Sequence, residues 1–434
     1  MREERPVTCY TVTLGELARN GCATATISEP GPDGEMRTTT LHVPAGLPGE
    51  RVTIAVEAPA LPPKRRKRHW KPYPRRVEIT EISQPSPLRI QARCPVFGDC
   101  GGCQLQHLQY PAQLEWKREV VRGLLQEIGR FEQPPVLNTV PCTEPWHYRN
   151  QMRFSVNREG QPGLTVRNTH RVLPLTECPI AHDYINTALG IFSTQVNPRP
   201  QVLARCGTAT RQILIQPPQS PEVVEQLTRA GLEVCVETME EQLRGETFRM
   251  RPSSFFQTNT AQAEKMAQMV LDGLFSDGSI TVDNGKHPST VIDAYCGVGT
   301  FALMLARRAT RVIAIEESAS SIKDARWNIR EAENIEILQG KVEDLLPTLA
   351  EQVDGLVIDP PRAGCQRPVL EALARNPVKR IVYVSCDPST LARDLDILCH
   401  EYAAYGLDSV QPLDMFPQTA HIESVACLRK MEDL

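Results

Sequence analysis

The chain has no apolar stretch long enough to cross a bilayer, and its first residues lack the apolar segment of a secretion signal. Its net charge is only −4 over 434 residues, so any contact with nucleic acid must come from a local basic patch. The hydrophobic content of 41% excludes a disordered or fibrous chain, and the length allows two or three domains. We therefore expect a cytoplasmic, monomeric protein with no membrane association.

One basic patch is present, in residues 62–76. It holds eight lysines and arginines interleaved with Trp70 and Tyr73, so positive charge lies beside rings that can stack on bases. Before it, residues 7–58 alternate short β-like runs with turns, which predicts a small OB-like β-barrel over residues 1–60. We interpret residues 61–87 as a basic linker, which together with the barrel would bind nucleic acid; the alternative is a solvated spacer.

Fourteen cysteines are many for a chain expected in a reducing compartment, where a disulfide framework is disfavoured. Three of them, Cys94, Cys100 and Cys103, fall within ten residues, and Cys178 is a candidate fourth ligand. Four thiolates suit either zinc or an iron–sulfur cluster, and the spacing alone does not decide between them.

The pattern of elements changes near residue 250. Residues 88–250 predict a mixed α/β domain, whereas residues 251–434 alternate helices with strands and predict a parallel, doubly wound sheet. Ligands of such sheets bind outside the carboxyl ends of the strands, so the residues that end strands are the candidate site.

Residues 291–301 contain the first of these strands, then a glycine turn and the start of a helix. Glu316 ends the next strand, where a carboxylate can bind both hydroxyls of a ribose. The turn lacks the third glycine that receives a pyrophosphate, and Asp293 would repel one. S-adenosylmethionine therefore fits the turn better than a dinucleotide.

Two more strands end in reactive side chains. Asp359 is followed by two prolines, which hold the chain extended at the mouth of the sheet. Cys386 ends a buried strand just before a helix, whose positive end can lower the pKa of a thiol. The alternative for Cys386 is an inert packing residue.

Four segments together, residues 254–259, 359–362, 385–388 and 416–423, resemble the RNA uracil-5 methyltransferase family. The resemblance spans essentially the whole chain, and residues 44–52 are similar to the TRAM domain of that family. It implies a Rossmann-like, S-adenosylmethionine-dependent enzyme that makes 5-methyluridine in RNA.

The resemblance also implies roles for individual residues. Cys386 would add to carbon 6 of uracil, and Glu423 would remove the proton from carbon 5. The cofactor would be held by Gln257, Tyr295, Glu316 and Asp359, and a [4Fe–4S] cluster by Cys94, Cys100, Cys103 and Cys178.

Cluster-bearing members of the family act on large-subunit (23S) ribosomal RNA, which is the expected substrate here, and a transfer-RNA target stays open. A third reading is a non-catalytic iron–sulfur RNA-binding protein. Intact Cys386, Asp359 and Glu423 speak against it.

Overall fold

A computed structural model describes residues 6–31, 35–58, 75–276, 278, 280, 289–349 and 353–431. The chain divides into two compact units, the first formed by residues 1–113, 164–173 and 418–420, and the second by residues 114–163, 174–417 and 421–434. The domain boundaries drawn from the sequence remain predictions. Most of the basic segment, residues 62–74, lies outside the described residues.

The first unit begins with five antiparallel strands, β1 (Val7–Thr13), β2 (Ala23–Pro30), β3 (Met36–Val43), β4 (Arg51–Glu57) and β5 (Val77–Gln84). They form a three-stranded sheet, β1-β4-β5, and a two-stranded sheet, β2-β3. Alternate residues of β4, Val52, Ile54 and Val56, point into an apolar core that β2 and β3 also enter. The predicted small OB-like β-barrel is not confirmed, and β5 occupies part of the segment predicted as a linker.

The middle of the chain is mixed α/β, as the sequence predicts. Strand β9 pairs antiparallel with β6 and with β10, and β10 pairs parallel with β11. A separate hairpin, β12-β13, leads towards the last domain. The elements are α1 (Tyr110–Glu127), β6 (Gln151–Val156), β7 (Pro162–Thr165), β8 (Val172–Pro174), α2 (Asp183–Ser193), β9 (Gln201–Cys206), β10 (Gln212–Gln216), α3 (Pro221–Arg229), β11 (Glu233–Cys235), β12 (Met239–Leu243) and β13 (Glu246–Met250).

The remaining strands form a seven-stranded sheet in the order β16-β15-β14-β17-β18-β20-β19. Helices connect its first five strands, which are parallel. The elements are α4 (Thr260–Phe275), β14 (Thr290–Ala294), α5 (Thr300–Leu305), β15 (Arg311–Glu316), α6 (Ala319–Asn328), β16 (Ile335–Gln339), α7 (Val342–Leu345), β17 (Gly355–Ile358), α8 (Arg367–Arg375), β18 (Arg380–Ser385), α9 (Pro388–Asp396), β19 (Tyr405–Leu413) and β20 (Glu423–Lys430).

The five strands that the sequence predicts, β14 to β18, are parallel as expected, but the sheet also contains two strands that the sequence analysis did not identify. β20 lies between β18 and β19 and is antiparallel to both. The connection from β19 to β20 contains no helix in the described residues, and such a short link permits an antiparallel return but not a parallel crossover.

Helices cover both faces of this sheet. Successive side chains of a strand point to opposite faces, so Val382 and Val384 enter one core while Ile381 and Tyr383 enter the other. Helix α4 approaches closely at Gly273, where an added Cβ would lie 2.7 Å from Cys427 Sγ. The apolar faces are therefore buried, and the ends of the strands are left for polar side chains.

No helix among the described residues combines the length and the apolar character needed to cross a membrane.

Candidate active site

The turn after β14 is held in an uncommon backbone conformation. Tyr295, Gly297 and Gly299 have φ values of 64°, 57° and 86°. Such a φ is strained for tyrosine and readily adopted by glycine. The Gly297 N–H donates to Glu316 Oε2 at 2.9 Å, and the Cys296 N–H donates to the Ile315 carbonyl at 2.9 Å. The turn is thereby fixed against the end of β15.

Glu316 retains acceptor capacity after these bonds. Its other oxygen, Oε1, accepts the Ser318 N–H at 2.7 Å, so each carboxylate oxygen has one donor. A carboxylate offers about four acceptor positions, which leaves room for two ribose hydroxyls. An added Cβ at Gly297 would meet nothing within 4 Å, so space is open beside the turn. These residues fit the adenosine part of a cofactor.

Asp293 lies inside β14 and is fully buried, and neither of its carboxylate oxygens has a hydrogen-bond partner within the described residues. Burial raises its pKa well above the usual value; the nearby Ala302 N–H opposes the shift without reaching hydrogen-bond geometry, and the charges of Asp359 and Glu316 add to it. The structure thus keeps an unpartnered acid directly below the glycine turn.

Asp359 follows the last residue of β17, next to β14. Its N–H donates to the Ala294 carbonyl at 3.3 Å, which places it beside the start of the glycine turn. Burial raises the pKa of this carboxyl from 3.8 to about 7. The structure therefore brings two of the predicted cofactor residues, Glu316 and Asp359, to the ends of β15 and β17, the strands that flank β14 on either side.

Cys386 and Glu423 are brought together by the antiparallel pairing that the sequence did not predict. Ser385 at the end of β18 pairs with Ser424 of β20, so the next step of the ladder sets Cys386 opposite Glu423. Glu423 is 3% exposed. Burial raises its pKa well above the usual value, with a further rise from Asp359 and an opposing effect from Arg362.

The thiol of Cys386 is not activated in the way the sequence led us to expect. Burial raises its pKa to about 11; Glu423 and Asp359 add to the shift, and Arg362 opposes it. The helix-terminus argument fails because Asp387 already caps α9, its carboxylate accepting from the Ser389 and Thr390 N–H groups. The thiol is therefore neutral at neutral pH.

The positions of Gln257 and Tyr295, the other two predicted cofactor residues, say less about cofactor binding. Asn150 donates to the Gln257 carbonyl at 3.2 Å, so the bond fixes the main chain of this residue and not its side chain. The Tyr295 ring is half-buried against an apolar core, where burial, followed by the charges of Cys365 and Glu343, raises the pKa of its phenol. Their contact with a cofactor stays a prediction.

Sequence reasoning missed Arg362 and Phe255. Arg362 is exposed, and its charge lowers the pKa of both Cys386 and Glu423. Its carbonyl accepts the Thr390 hydroxyl at 3.2 Å, which ties the loop to α9. Phe255 is 65% exposed two residues before Gln257. Both stand inside the motifs quoted above, but only the fold shows which motif residues meet one another.

The predicted metal centre is not supported. No group of three or more histidine, cysteine, aspartate or glutamate side chains among the described residues is arranged to hold a metal ion. Cys94, Cys100 and Cys103 belong to the first unit, and Cys178 belongs to the second. Burial raises the pKa of the Cys100 thiol, whose sulfur accepts the Gly102 N–H at 3.4 Å. The cluster on these four cysteines stays a prediction.

Comparison with known proteins supports the reading of the last domain. Residues 228–431 match the family model described as tRNA (uracil-5-)-methyltransferase. An uncharacterized RNA methyltransferase of Gloeobacter violaceus is 36% identical over 81% of this chain and 86% of its own length. Another, from Halalkalibacterium halodurans, is 33% identical over 96% of both chains.

The fold is also similar to that of a solved structure. The tRNA (uracil-54, C5)-methyltransferase of Pyrococcus abyssi, in complex with S-adenosyl-L-homocysteine, matches with a TM-score of 0.68 and 23% identity, over 96% of this chain and 99% of that chain. This likeness shows the fold. With the relatives above, it leads to the conclusion that the chain belongs to the family of S-adenosylmethionine-dependent RNA uracil-5 methyltransferases.

Proposed function

We propose that this enzyme converts a uridine of RNA to 5-methyluridine through a covalent adduct between Cys386 and carbon 6 of uracil. The observation that carries the proposal is the pairing of β18 with β20, which sets Cys386 opposite Glu423. Asp359 lies close enough to influence the pKa of both residues. A nucleophile, a base and a second carboxyl group thus share one edge of the sheet.

The adduct makes carbon 5 reactive. The Cys386 thiolate forms a bond to carbon 6, and the electron pair of the C5–C6 double bond moves to carbon 5 and its enolate oxygen. Carbon 5 would then bond to the methyl group of S-adenosylmethionine, and the electron pair of the broken S–CH3 bond would stay on the sulfur of the departing S-adenosylhomocysteine. Carbon 5 then carries both a methyl group and its original hydrogen, which must leave before uracil can become aromatic-like again.

Glu423 is the proposed base for that hydrogen. Its carboxylate accepts the C5 proton, the C5–C6 double bond re-forms, and the C6–S bond breaks so that the thiolate departs. A raised pKa makes this carboxylate a stronger base than an exposed glutamate. His421 is left without a chemical role.

Formation of the thiolate is the demanding step. With a pKa of about 11, about one Cys386 in ten thousand is ionised at pH 7. Arg362 is the cation that favours ionisation. The target base must also leave its stack to reach a half-buried thiol, at a cost of a few kcal/mol. The first unit and the basic segment would offset that cost by contacting the RNA backbone.

We assign the cofactor to Gln257, Tyr295, Glu316 and Asp359. Glu316 would accept hydrogen bonds from the ribose hydroxyls. Asp359 would face the positive sulfonium end, because its carboxyl lies beside the turn and near the reacting thiol. This division of roles accounts for carboxyl groups at the ends of both β15 and β17, the strands that flank β14.

We propose large-subunit ribosomal RNA as the substrate, because the cysteine pattern resembles that of the cluster-bearing members of the family. Transfer RNA is the second candidate, and the description of the matching family model and the activity of the Pyrococcus abyssi enzyme favour it.

The [4Fe–4S] cluster on Cys94, Cys100, Cys103 and Cys178 is a separate proposal that rests on spacing and resemblance alone. No step above uses it. Iron and acid-labile sulfide analysis of an anaerobic preparation tests it: about four irons per chain would support the cluster, and zinc or no metal would refute it.

The experiment that tests the proposed function uses unmodified ribosomal and transfer RNA with methyl-labelled S-adenosylmethionine. Label at carbon 5 of one or a few uridines in one RNA is the expected result. Label on another atom or another base would refute the proposed chemistry.

A further inference from the structure

Helix α6 presents polar side chains at Ser320, Asp324 and Asn328, which are four residues apart and therefore share one face. Asp324 is 1% exposed and Asn328 6% exposed, although a helix surface usually leaves such groups to water. The Ser320 and Asp324 side chains bond to the segment that leaves β13, and the Asn328 side chain bonds to Arg249 within β13. We call these three residues, which line one face of α6, the polar seam.

Asn328 joins the glycine turn to β13. Its Nδ2 donates to the Val298 carbonyl at 2.9 Å and to the Arg249 carbonyl at 3.1 Å. Its Oδ1 accepts the Arg249 N–H at 2.8 Å. One buried amide therefore connects the turn assigned to the cofactor with a strand that is distant in sequence.

Asp324 holds the next part of that segment. Its Oδ2 accepts the Arg251 N–H at 2.8 Å and the Ser254 hydroxyl at 2.6 Å, and its Oδ1 pairs with the Arg251 guanidinium. Ser320 adds a hydroxyl contact of 2.7 Å to Ser253. Three residues beyond Ser254 the chain reaches Gln257.

Both sides of this connection make close contacts with their surroundings. Gly299 packs against α6, since an added Cβ would lie 3.3 Å from Ile329 and 3.6 Å from Ala325. On the other side, the buried Arg205 donates to the Ser254 carbonyl at 2.9 Å. A short series of buried hydrogen bonds therefore connects the glycine turn to the loop at residues 252–258, which carries Phe255 and Gln257.

We propose that Asp324 and Asn328 are positioning residues that couple the glycine turn to the loop at residues 252–258, so that filling the cofactor site orders this loop for the reaction. The inference rests on the proposed placement of the cofactor at the turn. Both residues act through other groups. A loop misplaced by about 1 Å can cost on the order of 10²-fold in rate even when the reacting groups are intact.

Hydrogen exchange with S-adenosylhomocysteine as the probe tests the coupling in the full-length protein. In the wild type, the probe should slow exchange at the turn, residues 295–300, and at residues 249–258. In Asn328→Ala the turn should still be protected, while residues 249–258 should lose most of that protection. The matched control is Asn334→Ala, because Asn334 also donates to two carbonyls, those of Ala306 and Ala309, and lies outside the seam.

Each result of this experiment is decisive. Equal protection of residues 249–258 in Asn328→Ala and the wild type would overturn the coupling. Protection of the turn alone in the wild type would also overturn it. If the probe protects neither segment, the proposed cofactor site itself fails, and the coupling fails with it.

Kinetics separate positioning from mere stability. In Asp324→Asn we expect kcat for methyl transfer to fall about 10²-fold, while the rate of adduct formation by Cys386 without cofactor stays within about threefold of the wild type. Ser254→Ala removes a single hydroxyl and should cause a smaller loss of the same kind. It serves as the milder variant should Asp324→Asn unfold.

The control is Asp354→Asn, which also loses a carboxylate that binds one backbone N–H and one cation. It should keep the wild-type kcat. An Asp324→Asn or Ser254→Ala enzyme with the wild-type kcat, or one in which adduct formation falls as far as methyl transfer, would overturn the assignment.

Discussion

The parallel strands of the seven-stranded sheet begin on one side of it, here called the amino edge, and end on the other, the carboxyl edge. Acidic side chains at these two edges lie in opposite environments. At the amino edge, Asp354 accepts the Thr290 N–H at 3.0 Å and pairs with Lys379 at 2.7 Å. At the carboxyl edge, burial raises the pKa values of Asp359 and Glu423, and Arg362 is a nearby cation. One edge uses its carboxylates to stabilise the fold, and the other holds them in an environment that makes them basic.

The largest expected effect is at the thiol of the carboxyl edge. Cys386→Ala should reduce methyl transfer by on the order of 10⁴-fold or more, because without the sulfur carbon 5 is not activated. Cofactor binding, measured by calorimetry, should change little. Cys399→Ala, at another half-buried cysteine ahead of β19, should be nearly silent. Turnover of Cys386→Ala within tenfold of the wild type would exclude the covalent route.

Removal of the base should stall the reaction after the methyl group has been transferred. We expect Glu423→Gln to lower turnover by about 10³-fold and to accumulate an RNA–protein adduct that survives a denaturing gel. Glu336→Gln, at a surface carboxylate that pairs with Arg311, is the control. A Glu423→Gln enzyme that turns over slowly without any adduct would assign the proton to another group.

Substitution of Arg362 and of Lys379 compares how a cation at each edge affects adduct formation. Because the Arg362 charge lowers the pKa of the Cys386 thiol, Arg362→Gln should raise it further and slow adduct formation up to about tenfold at pH 7.5. The rates of mutant and wild type should converge above the thiol pKa. Lys379→Gln should leave the pH profile of adduct formation in place. A profile unchanged in Arg362→Gln would remove Arg362 from thiol activation.

The smallest expected effect is on the free energy of unfolding, compared between variants of one carboxyl group at each edge. The Asp359 pKa is raised from 3.8 to about 7, so its contribution to the free energy of unfolding is present below about pH 4 and lost as pH rises through about 7. Asp359→Asn should therefore be more stable than the wild type at pH 8, by about 1–2 kcal/mol after allowance for its partial exposure.

Asp354→Asn is the counterpart for stability and should lose up to about 1 kcal/mol at pH 8. Urea unfolding at pH 5 and pH 8 measures both variants. Equal destabilisation of the two would contradict the proposed difference between the edges.

The sequence predicted the parallel half of the sheet well because hydrophobic strands, glycine turns and helices are local signals. Glu316 and Asp359 could be placed at strand ends on the same side of the sheet by the general topology of such sheets. The meeting of Cys386 with Glu423 could not, because it depends on the insertion of β20 beside β18, a pairing between distant segments.

The pKa of Cys386 was misjudged for a related reason. A helix start follows this cysteine in the sequence, yet the structure gives the helix amides to Asp387 and surrounds the sulfur with acids from other strands. Likewise, three cysteines within ten residues indicate a metal in sequence, but the described residues contain no group of three or more potential ligands arranged to hold a metal ion.

The position of β20 between β18 and β19 has a consequence for the order of events in folding. The base reaches the thiol only when β20 has inserted between β18 and β19. We expect methyl transfer to recover on refolding no earlier than the pairing of β18 with β20, because that pairing completes the active site.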